Sequence, residues 1–135
     1  MKIHEIPGAL VMEWNDEGKV IVDHWLKYTV KVEEFREAIL KKGLSYAKAR
    51  GARAWVVDSS KATGTYPQEV QDLIAKEVFK AFAGIGIKSF ITIKSGSAIT
   101  NLAFNRVTSQ MGPSGIHMVE VPDLKTALTW LREHP

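Results

Sequence analysis

The chain has 135 residues, 45% of them hydrophobic, with 18 basic and 15 acidic side chains, a formal net charge of +3 and no cysteine. That length suits one domain, residues 1–135, with a sizeable core; the missing thiols exclude disulfides, cysteine nucleophiles and cysteine-bearing zinc sites. The cations are interleaved with acids rather than gathered in a run of about five or six, which argues against nucleic acid as a partner.

Residues 1–7 lack the apolar segment of a secretion signal, and no stretch approaches the roughly 18 consecutive apolar residues of a membrane span, so a cytoplasmic address is expected. Leu10 to Trp14 and Val20 to Trp25 are rich in strand formers and flank the turn residues Asn15-Asp16-Glu17-Gly18-Lys19, the pattern of a β-hairpin. From Val32 to Arg50, Phe35, Ala38, Ile39, Tyr46 and Ala47 recur at helical spacing, and Gly51 stands where a helix ends. Ala54 to Val57 is a short apolar run, the signature of a strand covered on both faces.

A second helix is expected from near Pro67 to Gly84, with Val70, Leu73, Ile74, Val78, Ala81 and Phe82 on its core face. Ile87 to Ile93 reads as a strand. A third helix, capped by Ser97, is expected to run to about Met111, before Gly112-Pro113. Ile116 to Val121 is the next strand, and Asp123 is placed to cap a last helix with Leu124, Ala127, Leu128 and Leu131 on its stripe. This order predicts an α/β fold: a mixed, mostly parallel sheet of about five strands, with an N-terminal antiparallel hairpin and about four helices.

In this arrangement the chain resembles the STAS superfamily of anti-sigma-factor antagonists, and most the small stand-alone bacterial SpoIIAA-like proteins. The likeness rests on the hairpin with Trp14 and Trp25, on Val32-Glu33-Glu34-Phe35-Arg36-Glu37-Ala38, and on Ala54-Trp55-Val56-Val57-Asp58. Gly86-Ile87-Lys88-Ser89-Phe90 and Leu124-Lys125-Thr126-Ala127-Leu128-Thr129-Trp130-Leu131 add to it. These are core and turn positions, so the likeness speaks to fold. It implies either a regulatory module switched by phosphorylation of a serine at a helix start, or a domain with an apolar cavity or a membrane-surface role. Asp58-Ser59-Ser60 matches the first element of the antagonist pattern, directly after the strand. The second element, Asp-Ser-Ser-Gly at the helix start, is missing; Thr63 or Thr65 holds that position.

The stretch Asp58 to Tyr66 follows a presumed parallel strand, on the side where open α/β sheets bind ligands. Turn and cap chemistry accounts for its hydroxyls just as well. Lys94-Ser95-Gly96-Ser97 and Gly84-Ile85-Gly86 fit neither a Walker loop nor a dinucleotide fingerprint, so no cofactor is expected. His4, His24, His117 and His134 have no metal-ligand spacing, so no metal is expected, and no G-x-S-x-G elbow marks a nucleophile.

Phe79 and Phe104 lie off the apolar stripes of their helices, and a widened apolar arc can line a cavity, form a homodimer contact or meet a membrane surface peripherally. The sequence therefore leads to a non-enzymatic STAS-like domain that takes a small apolar or lipid-like ligand. Its expected site comprises Trp55, Tyr66, Phe79, Phe82 and Phe104 around the pocket, with Asp58, Ser59, Ser60 and Thr65 on the polar rim. The alternative is a regulatory module that docks a protein partner through residues 58–66.

Overall fold

The computed structural model describes residues 1–93 and 108–134. Strands β1 (Lys2–Ile6), β2 (Leu10–Asn15) and β3 (Val20–Trp25) form an antiparallel meander. Strands β4 (Ala54–Asp58), β5 (Ser89–Ile93) and β7 (His117–Val121) continue from β3 in parallel, and β6 (Thr108–Met111) closes the far edge antiparallel to β7. The sheet has seven strands in the order β1-β2-β3-β4-β5-β7-β6.

Helix α1 spans residues 32–50 between β3 and β4, helix α2 spans residues 68–84 between β4 and β5, and helix α3 is Leu124–Glu133. The α/β class, the mixed sheet and the N-terminal hairpin thus agree with the sequence reading. Two strands exceed it, and both pair antiparallel, so only half of the six neighbour pairs are parallel. Lys2–Ile6 is an edge strand whose first four residues, Lys2 to Glu5, are exposed or half-buried, only Ile6 being buried, so it carries little periodic signal.

The expected third helix needs correction at its end. Thr108–Met111 is extended and pairs with β7, with Met111 opposite His117. The helical spacing of Val107 and Met111 is a local hint that a non-local ladder overrides. The rest of that expected helix, including Ser97 and Phe104, lies outside the described residues.

Alternation along each strand sorts the core into two layers. Ile21, Trp25 and Trp55 belong to the cluster packed with Phe35, Ile39, Leu73, Val78 and Phe82 of α1 and α2. Val20, Val22, Ala54, Val56, Ile91, Ile93, Val119 and Val121 form the other cluster, beneath Ala127, Trp130 and Leu131 of α3. Asp123 caps α3 by accepting from the Thr126 N–H at 2.7 Å.

Both long helices depart from regular α geometry. Helix α1 is π-helical over Arg36–Gly43 and α2 over Ile74–Val78. The wider turn keeps Phe35, Ile39, Gly43 and Ala47, each four residues apart, buried on one side of α1, where a straight α-helix would rotate them away. Gly43 explains the gap in the apolar stripe between Ile39 and Tyr46. A Cβ there would lie 2.7 Å from the Trp55 ring and 2.9 Å from Met12 Sδ, so only glycine lets α1 settle on the sheet.

Candidate functional site

The α1/α2 side of the sheet is paved with rings that do not fill it. At the carboxyl ends of β3, β4 and β5 they leave a hollow of about 250 Å³, floored by the sheet and walled by both helices and the segments after β3 and β4. Eight aromatic side chains line it: Trp25, Tyr28, Phe35, Trp55, Tyr66, Phe79, Phe82 and Phe90. They brace one another. Trp55 stacks on Phe82 with centroids 4.3 Å apart, Phe79 meets Phe90 edge-on at 5.2 Å, and Tyr66 packs against Tyr28, Trp25 and Phe35 at 4.5, 5.4 and 5.5 Å. Ile39, Ile74 and Val78 from the two π-helical stretches complete the aliphatic part of the wall. Irregular helical turns of this kind often mark functional sites.

One carboxyl group interrupts this apolar lining. Asp23, in the middle of β3, is 1% exposed and borders the hollow. Its Oδ2 accepts a hydrogen bond from Trp55 Nε1–H at 2.8 Å, whereas Oδ1 is buried with no partner among the described residues. Burial, only partly offset by the Trp55 bond, pushes its carboxyl up from 3.8 to about 7. A buried acceptor left unmatched costs roughly 1–3 kcal/mol, more if charged, so this atom is a standing demand for a donor.

The polar remainder of the lining is small. The hydroxyls of Tyr28 and Ser59 are hydrogen-bonded to each other, and the Ser59 N–H donates to the Ile93 carbonyl at 2.9 Å, tying the end of β4 to β5. Thr92 adds a hydroxyl from β5. Burial raises the pKa of both Tyr28 and Tyr66, so both phenols stay neutral at ordinary pH.

Of the residues expected at the site, the structure brings Trp55, Ser59, Tyr66, Phe79 and Phe82 to this one hollow. Asp58 and Ser60 are elsewhere. They line a separate depression on the opposite face of the sheet with Glu13, His24 and Lys61. Trp55 and Asp58 are three residues apart on one strand, an odd offset, so they point to opposite faces. There Asp58 Oδ2 lies 3.0 Å from His24 Nδ1, Oδ1 accepts from the Ser60 N–H at 2.9 Å, and Glu13 stands 3.6 Å from His24 Nε2. Burial disfavours ionisation of Asp58, but the Ser60 and His24 contacts outweigh it and hold its pKa below the usual value.

Thr65 is exposed, outside the lining described, and its carbonyl accepts from the Thr29 hydroxyl at 3.4 Å. Thr63 is exposed too and bonds the Leu26 carbonyl through its N–H and hydroxyl. Phe104 falls outside the described residues.

Sequence reasoning missed Asp23, Trp25, Tyr28, Phe35 and Phe90 as lining. A signal for Asp23 exists: a lone acid inside Val20-Ile21-Val22-Asp23-His24-Trp25, on the same strand face as Ile21 and Trp25. No cluster of three or more His, Cys, Asp or Glu side chains suited to a metal occurs among the described residues, and no helix among them is long and apolar enough to cross a membrane. No family model matches the chain, and no curated protein matches it either.

Proposed function

We propose that this chain is a non-catalytic, STAS-like domain that works by holding a small, largely apolar molecule between the sheet and helices α1 and α2. The observation that carries the reading is the hollow of about 250 Å³ with its eight aromatic walls. Its location at the carboxyl ends of parallel strands is where open α/β sheets receive ligands. Its size suits one or two rings or a short chain: an apolar cavity of about 150 Å³ already takes benzene. A molecule as large as a two-chain lipid exceeds it, so a lipid-like occupant would enter by one short tail only. Native mass spectrometry of the protein purified from its own host tests the reading, with a retained molecule of a few hundred daltons expected. A bare chain mass, together with no binding from a panel of one- and two-ring compounds in ligand-observed NMR, would overturn it.

A second reading, a regulatory module that docks a protein through residues 58–66, draws on the exposure of Thr63 beside Leu26 and of Thr65 two residues further on. Light scattering and a pull-down distinguish it, since a monomer that captures no partner counts against docking.

A further inference from the structure

The hollow is electrostatically one-sided. Among the described lining residues Asp23 is the only carboxyl group, its buried Oδ1 has no partner among the described residues, and that lining contains no Lys, Arg or His to neutralise it. Trp55 Nε1–H already donates to the other oxygen, a bond that supports the carboxylate but does not outweigh the burial that opposes it, so a bound cation would supply what the ionised form lacks. Aromatic rings carry negative potential on their faces and attract cations, most of all when water is excluded. A buried acid with one missing donor, surrounded by eight rings, is thus complementary to a positive charge on an apolar body and hostile to an anion.

Resting on the reading that the hollow binds a small molecule, we propose that its occupant is a small organic cation, a protonated amine or quaternary ammonium on an apolar body, with its charge seated against Asp23. The neutral alternative, a protonated Asp23 donating to a ligand carbonyl, satisfies the carboxyl but leaves the ring array without a role beyond burial. A fatty-acid carboxylate would meet Asp23 and the ring faces with the wrong sign.

Among the described residues, the elements packed around Asp23 bring no other charged group to the hollow. Helices α1 and α2 present Phe35, Ile39, Ile74, Val78, Phe79 and Phe82 to the hollow, and β4 and β5 present Trp55, Val57, Phe90 and Thr92. Tyr28 and Tyr66 face it from the segments after β3 and β4, both neutral. His24, Glu13 and Asp58 lie across the sheet. Between pH 5 and 8.5, Asp23 is therefore the group of the described lining that changes charge, with a midpoint near 7 in the empty hollow.

The experiment is calorimetric titration of the full chain with four matched probes: benzyltrimethylammonium, benzylamine, benzyl alcohol and phenylacetate. At pH 8.5 the ammonium probe and the protonated fraction of benzylamine should bind about 10–100-fold tighter than benzyl alcohol, with phenylacetate weakest. Because benzyltrimethylammonium does not titrate, its affinity should fall by up to about tenfold per pH unit below pH 7, as Asp23 takes up its proton. Asp23→Asn should abolish both the preference and the pH dependence while keeping the affinity for benzyl alcohol. The wild-type pH series stands alone if that variant does not fold. Equal binding of cation and alcohol, or a preference for phenylacetate, would overturn the cation inference and leave a binding hollow in place. No binding by any probe would bring down both.

Discussion

Asp23 and Asp58 sit on neighbouring strands, β3 and β4, one register step apart, and face opposite sides of the same sheet. Asp58 has what a carboxylate needs: a backbone N–H from Ser60, an imidazole from His24 and partial access to water. Asp23 has one indole N–H among the described residues and is almost fully buried, and its pKa moves in the opposite direction. The surroundings differ as much as the acids. Under α3 the strands contribute mainly Val and Ile, compact side chains that interdigitate closely. Under α1 and α2 they contribute Trp14, Trp25, Trp55 and Phe90 beside Leu10, Met12 and Ile21, and with the helical Phe side chains these flat rigid rings stack on one another and leave a hollow beside the acid. One face stores stability; the other holds space and an unmet hydrogen bond.

If the rings are nonetheless structural on their own face, Trp55→Ala should show the largest effect. It removes a fully buried side chain, the stacking partner of Phe82 and the donor to Asp23. A loss of about 3–5 kcal/mol in urea unfolding is expected. A loss below about 1 kcal/mol would mean that the aromatic layer collapses to fill the gap and that the hollow is not maintained by its walls.

The two acids should also write opposite slopes into stability against pH. Asp23 has a folded pKa near 7 against 3.8 when unfolded, so the native state binds the extra proton between those values. Its contribution is fully present below about pH 4 and is lost as pH rises through about 7, a swing on the order of 4 kcal/mol. Asp23→Asn should flatten that limb when unfolding midpoints are compared at pH 4, 6 and 8. An unchanged slope in the variant would show that Asp23 is not the titrating group.

Much of this contrast was latent in the sequence. The helices and central strands follow from periodicity, and Phe79 was identifiable as a ring outside its helix's stripe. Even the division between the two acids follows from alternation: Asp23 is two residues from Trp25 and shares its face, while Asp58 is three from Trp55 and cannot. Proximity in the chain suggested a common rim for Trp55 and Asp58, and the period of two forbids it. What sequence could not supply was non-local. The pairing of Thr108–Met111 with β7, the meeting of Tyr28, Phe90 and Trp55 around one hollow, and the lack of a donor for Asp23 Oδ1 among the described residues depend on how separate elements meet. The π-helical turns, too, answer to the sheet beneath them rather than to local propensity.

On the opposite face a smaller effect of reversed sign is expected. Asp58→Ala strips the Ser60 N–H and His24 of their acceptor at a half-buried position, costing about 1–2 kcal/mol near neutral pH. Because the folded pKa of Asp58 is depressed, its contribution is present above about pH 4 and lost as pH falls through the folded value. The wild type should therefore lose stability in that acidic window and the variant should not. A matching acid limb in both proteins would remove Asp58 from the comparison.

The smallest expected effect tests what holds α1 against α2 over the hollow. Arg36 and Glu77 form a two-pronged ion pair between these helices, both contacts 3.4 Å, with side chains about half exposed at 46% and 51%. Such a pair is screened by water and salt, so Arg36→Ala should cost no more than about 0.5 kcal/mol, and less in 0.5 M than in 0.05 M salt. The helices should stay in place because Phe35 of α1, Phe82 of α2 and Trp55 of the sheet belong to one buried cluster, and burying each such ring contributes several times that amount. A loss above about 1 kcal/mol, or a weaker grip on probes that fill the hollow, would show that charge rather than packed rings keeps its walls together, and the division between the two faces would then rest on the surface as well as on the core.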